Sequence, residues 1–153
     1  MIKIKNYDIL NSKETKDIIL KIQDQYGNCP ALDYAFLRSQ REKLYVANRE
    51  VFDIDLTKIN INSLGIYFAE DKNNEIRLSI EGSQIIGPHA KKNVVDISDE
   101  EVKEWLHGHD LDTDKEDTPG FVIIRNKTDF YGVGKLKNKK IANYVSKVRR
   151  LKG

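Results

Sequence analysis

The chain has 153 residues, of which 39% are hydrophobic and 33% charged, and carries a net charge of +2. That length suits one ordinary domain or two small ones, with enough apolar material for a core, which excludes disorder across the whole chain. No apolar run approaches the roughly 18–20 residues that cross a bilayer, the start MIKIKNYDIL lacks the apolar stretch and cleavage site of a secretory signal, and the lone Cys29 excludes an intramolecular disulfide or a cysteine zinc cage.

A cytoplasmic protein without membrane attachment is therefore expected. After a β-prone start at Ile2 and Ile4, Ser12 is placed to cap a helix whose apolar positions Ile18, Ile19, Ile22 and Tyr26 recur at three- and four-residue spacing before Gly27 ends it. Strands are predicted over 34–37, 44–47, 64–69 and 76–80, with a turn at 71–74. Gly82 and Gly87-Pro88 punctuate the chain, and a domain boundary is expected near residue 90. A strand over 94–97 then leads into Ser98-Asp99-Glu100-Glu101, a capping box opening a helix with Val102, Trp105 and Leu106 inward and Gly108 at its end. A polar loop over 110–119 precedes strands over 121–124, 131–136 and 141–145, which suggests a small barrel or sandwich.

Charge is unevenly spread. From Asp96 to Asp117 ten acids face only Lys103 and Lys115, whereas Arg125 to Gly153 holds ten Lys and Arg against Asp129 alone. Lys135, Lys137, Lys139 and Lys140 straddle a predicted hairpin turn, and Lys147, Arg149, Arg150 and Lys152 follow its last strand. Such a cluster either neutralises phosphates, with Tyr131 and Tyr144 positioned to stack on unpaired bases, or is simply a solvated surface with a basic end.

Gly132-Val133-Gly134 lacks nucleotide-fingerprint spacing and reads as a bulge or a close backbone approach. His107 and His109 have no third ligand at a known zinc spacing, so helix-end histidines are the better reading. Asp110, Asp112 and Asp114 imitate half a calcium loop, but Lys115 and Phe121 stand where that loop needs glycine and glutamate. Cys29 has no identifiable base, and no catalytic motif is present; no metal, no cofactor and no enzymatic role are expected.

The segment VVDISDEEVKEWLHGHDL, followed by GFVIIRNKTDFYGVGKLKNKKI, resembles a PUA domain, the RNA-binding module of pseudouridine synthases and archaeosine transglycosylases, over about residues 92–152. Upstream, KLYVANREVFDID and INSLGIYFAEDKNNEIRLSIEGSQIIGPHAKKNVV resemble the pre-PUA half of the Nip-type ribosome-biogenesis proteins of archaea and eukaryotes. The ending GKLKNKKIANYVSKVRRLKG is closer to PUA domains attached to RNA 5-methylcytosine methyltransferases.

The resemblance implies an α+β protein with an N-terminal α/β pre-PUA domain (1–90) and a C-terminal PUA β-barrel, a pseudo-barrel (91–153). It implies RNA contacts at His107, Gly108, Gly134, Lys135, Lys147, Arg149 and Arg150, the glycines admitting the RNA backbone and the cations meeting phosphates, and the charge pattern of the hairpin adds Lys137, Lys139, Lys140 and the stacking candidate Tyr144 as expected RNA-binding residues. The implied partners are rRNA or tRNA, with ribosome-assembly proteins or an RNA-modifying enzyme alongside. Ribosome biogenesis and rRNA processing are the expected setting, with an accessory RNA-specificity subunit of a modifying enzyme as the alternative.

Overall fold

The computed structural model describes residues 3–4, 6–55 and 64–153. Strands β1 (Lys3–Ile4), β2 (Tyr7–Ile9), β3 (Ala35–Ser39), β4 (Lys43–Ala47), β5 (Ile66–Lys72) and β6 (Glu75–Leu78) form one sheet in chain order, with every neighbouring pair antiparallel. Helix α1 (Ser12–Tyr26) covers one face, burying Ile18, Ile22 and Tyr26 against Phe36, Phe68 and Ile76. Its cap is Asn11 rather than the expected Ser12: the Asn11 side chain accepts from the Glu14 amide at 2.9 Å while Glu14 accepts from the Asn11 amide at 3.2 Å. Gly27 closes the helix in the left-handed region at φ 81°.

A second difference from the sequence reading lies at residues 79–86. Ile80, expected at the end of a strand, opens a helix, α2 (Ile80–Ile86), capped by the Ser79 hydroxyl, which accepts from the Gly82 amide at 2.9 Å. Gly82 does not interrupt the chain there. A Cβ on it would fall 2.1 Å from the Phe68 carbonyl oxygen, so glycine lets α2 lie directly on β5.

The remaining strands are β7 (Val94–Asp96), β8 (Leu111–Asp112), β9 (Phe121–Asn126), β10 (Asp129–Lys137) and β11 (Lys140–Asn143), with helix α3 (Asp99–Leu106) between β7 and β8. They form a five-stranded sheet in the order β7-β9-β10-β11-β8, in which only the β7–β9 pair is parallel. The sheet curls into a half barrel around fully buried Trp105 of α3, whose indole N–H donates to the Tyr131 carbonyl at 2.8 Å. The Ser98–Glu101 capping box forms as the sequence indicates. The expected 110–119 loop contains β8, and the register shift in β10 falls between Phe130 and Val133, around Gly132 at φ 82°.

β9 explains how the two sheets meet. Its Phe121 and Ile123 face the cluster containing Ile18, Phe36 and Ile76, while Val122 and Ile124 face the Trp105 cluster. Both faces are buried, which is why FVII shows no polar alternation. One core cluster thus contains residues from both sides of residue 90. Polar ties reinforce it: the Gly132 amide donates to Ser83 Oγ in α2 at 2.9 Å, and Gln25 Nε2 donates to the Phe121 carbonyl at 3.3 Å.

Candidate nucleic-acid interface

The expected interface residues lie on two elements, the β10–β11 hairpin and the end of α3 with the chain segment that returns to it. The β10–β11 register opposes Lys135 to Ala142 and Lys137 to Lys140, so Lys135, Lys137 and Lys140 share one face of the hairpin. Asn138 and Lys139 make the tight turn with φ of 53° and 59°. The acidic loop folds against this tip: Lys139 Nζ reaches Glu116 at 3.0 Å and the Asp114 carbonyl at 2.8 Å, and the Asn138 amide donates to Asp117 at 2.8 Å. Of the three acids that only imitate a calcium loop, Asp110 accepts from the Asn143 amide at 2.8 Å.

A second group gathers at the end of α3. His107 Nδ1 lies 2.7 Å from the Lys103 carbonyl and Nε2 lies 3.1 Å from the Gly153 carbonyl, while His109 Nδ1 meets Glu104 at 2.6 Å. The chain after β11 turns back onto this end, the Leu151 amide donating to the Leu106 carbonyl at 2.8 Å. Gly108 adopts φ 92°, and a Cβ there would meet Arg150 Cδ at 2.4 Å. The space above Gly108, expected to admit RNA, holds the Arg150 side chain. Arg150 Nε donates to the Val145 carbonyl at 3.1 Å.

Gly134 also departs from expectation. It is buried, and a Cβ would lie 2.6 Å from the Ala142 oxygen and 2.8 Å from Trp105 Cη2. The close approach this glycine permits is that of Trp105 and β11, not of an RNA backbone. Tyr144 is half-buried, edge-on to Phe121 at 5.1 Å, with the Arg77 guanidinium 5.1 Å from its ring centre. Tyr131 packs against the Trp105 cluster.

Ion pairing divides the cations further. Lys135 pairs with Glu75 at 3.1 Å and sits 4.7 Å from the Phe121 ring centre; Arg149 pairs with Glu81 of α2. Lys135 ties the C-terminal sheet, and Arg149 the chain that follows it, to the preceding half. Among the described residues, the side chains of Lys137, Lys140 and Lys147 are exposed and in no ion pair or hydrogen bond. Of the expected interface cations these three are the ones whose side chains have no polar partner among the described residues; Lys152, outside that set, is exposed and unpaired as well. On the opposite edge, Asp96 is held below the usual carboxylate range first by the hydrogen bond from Arg125, and Asp99 by those from Asn126 and Lys127.

The sequence reading missed Lys43, Tyr67 and Arg77. They share the face of the N-terminal sheet opposite α1, Lys43 opposing Glu70 on β5 and Glu70 opposing Arg77 on β6. The Lys43 ammonium lies 5.4 Å from the Tyr67 ring centre, and the Arg77 guanidinium donates to the Tyr144 carbonyl at 2.9 Å. Burial, with Glu70 nearby, pushes the Tyr67 hydroxyl up to about 12. Alternation in KLYVA hinted at the shared face, but the pairing that assembles it is nonlocal.

The C-terminal sheet half-encloses the capped helix α3, with Gly108 at the helix end. Residues 92–151 match the family model described as methyltransferase RsmF PUA domain. No curated protein matches the chain. The matched segment contains every expected interface residue, and no helix among the described residues is long and apolar enough to cross a membrane.

Proposed function

We propose that this is a non-catalytic RNA-binding protein of the cytoplasm that holds structured RNA through its PUA-like domain and acts in rRNA processing and ribosome assembly. The observation that carries the RNA reading is the PUA match over 92–151 combined with exposed, unpartnered Lys137, Lys140 and Lys147. Cations of this kind bind phosphates with little regard to sequence, while domain shape selects the RNA. The acids Glu100, Glu101 and Glu104 on α3 repel phosphate, so RNA approaches from the hairpin and the chain end rather than across this helix. The setting in ribosome assembly, in the manner of the Nip-type proteins, rests on the resemblance of the upstream half.

The matched model is that of a methyltransferase's PUA domain, which favours a second reading: an RNA-specificity subunit serving an RNA-modifying enzyme in trans. Crosslinking the tagged full chain in its own cells and identifying what is recovered separates the two. Ribosomal precursor RNA with assembly proteins supports the first; stoichiometric recovery of a catalytic polypeptide supports the second. Recovery of no RNA contradicts both.

A further inference from the structure

Where the N-terminal sheet meets the chain leaving β11 there is a cleft of about 170 Å³. Its walls include Lys43 of β4, Tyr67 of β5 and Arg77 of β6 on one side, and Tyr144, Ser146 and Arg149 on the other. It is smaller than the several hundred Å³ typical of cofactor sites, which limits it to a group of modest size. Three of these six are cations; Glu70 is the carboxylate in the lining, and Glu81 engages Arg149 from beside it. Two of the six are tyrosines, each with a cation set over its ring.

We infer that this cleft receives one unpaired RNA nucleotide, so that the N-terminal sheet contributes directly to RNA binding. The inference rests on the RNA reading above. An aromatic ring stacks on any base, a guanidinium plane offers a second stacking surface, and a cation beside the stack meets the phosphate. Arg77 is well held for the stacking role. It donates to the Tyr144 carbonyl at 2.9 Å, lies 3.7 Å from Glu70, and covers the Tyr144 ring. Lys43 stands at Tyr67 as the matching cation.

Charge and continuity both favour RNA as the occupant. The lining is net positive, and its second wall, Tyr144 to Arg149, belongs to the PUA-matched segment, next to exposed Lys147. RNA held at Lys147 therefore adjoins the wall of the cleft that Ser146 and Arg149 form. Stacking requires a base free of its helix, so the cleft discriminates for single-stranded nucleotides adjoining a structured element.

The test uses the full chain and two fluorescein-labelled RNAs, a blunt hairpin and the same hairpin with a short unpaired extension, read by anisotropy at fixed salt. Wild type is expected to prefer the extended RNA. Tyr67→Leu is expected to lose that preference, about tenfold in affinity for one stacked base, with the blunt hairpin bound as before and Tyr67→Phe retaining it. Circular dichroism reports whether Tyr67→Leu is folded; if it is not, Lys43→Glu gives the same reading from a position that does not pack in the core. Equal wild-type binding of the two RNAs, or an extension preference that survives a folded Tyr67→Leu or Lys43→Glu, overturns the cleft assignment alone. Failure of wild type to bind either RNA overturns the RNA reading itself.

Discussion

Replacing Gly134 by alanine separates packing from RNA contact. The added methyl would be placed 2.6 Å from the Ala142 carbonyl oxygen, 2.7 Å from Ile141 Cγ2 and 2.8 Å from Trp105 Cη2. The first is backbone of the paired strand and the last is the far edge of a fully buried indole anchored by its hydrogen bond to the Tyr131 carbonyl, so neither yields cheaply. Overpacking of this kind costs about 1–3 kcal/mol. For a chain of this size each kcal/mol lowers Tm by about 2–4 °C, so a fall of about 2–12 °C is expected. Thermal unfolding followed by far-ultraviolet circular dichroism measures it, and RNA affinity is measured well below the transition. The expected result is lower stability with affinity per folded molecule unchanged. An unchanged Tm together with weakened RNA binding would refute the reasoning and place Gly134 on the RNA surface.

Three further expectations concern the common core and the sheet edge. Tyr26→Phe removes the buried hydroxyl that donates to the Ile76 carbonyl at 3.2 Å, leaving that oxygen unpaired, and is expected to cost about 1–2 kcal/mol in urea unfolding. Burial pushes the Cys29 thiol up to about 11, so at pH 8 about one molecule in a thousand carries the thiolate and a disulfide reagent should label the native chain far more slowly than the unfolded one. Asp96 has its folded-state pKa depressed by the Arg125 hydrogen bond, so its contribution to stability is present above the unfolded carboxylate value of about 3.9 and is lost as pH falls below that. The Tm gap between wild type and Asp96→Asn should accordingly stay constant near neutral pH and narrow in acid; a gap that widens toward low pH contradicts the pairing.

Much of the fold is legible where local signals decide it. The Ser98 capping box, the left-handed glycines after α1 and α3, and the hairpin turn at Asn138 and Lys139 are each set by a few neighbouring residues. α2 was not legible. Its seven residues, IEGSQII, are too short to show helical periodicity, and Gly82 reads as a break until β5 is seen lying beneath it. The candidate site is less legible than the fold because cations in a sequence carry no record of their partners. Lys135 and Arg149 look as available as Lys137, yet Glu75 and Glu81, sixty and sixty-eight residues away, engage them. Lys43, Tyr67 and Arg77 converge through strand register, which no local pattern encodes.

The most direct test of RNA binding by the exposed lysines is the salt dependence of affinity for structured rRNA fragments and tRNA, comparing wild type with a Lys137→Gln/Lys140→Gln/Lys147→Gln variant. Each lost phosphate contact lowers the slope of log K on log salt by about 0.7–0.9, so the variant should bind more weakly with a slope shallower by about 2. Wild-type affinity that is indifferent to salt, or a variant that matches wild type in affinity and slope, would contradict the account.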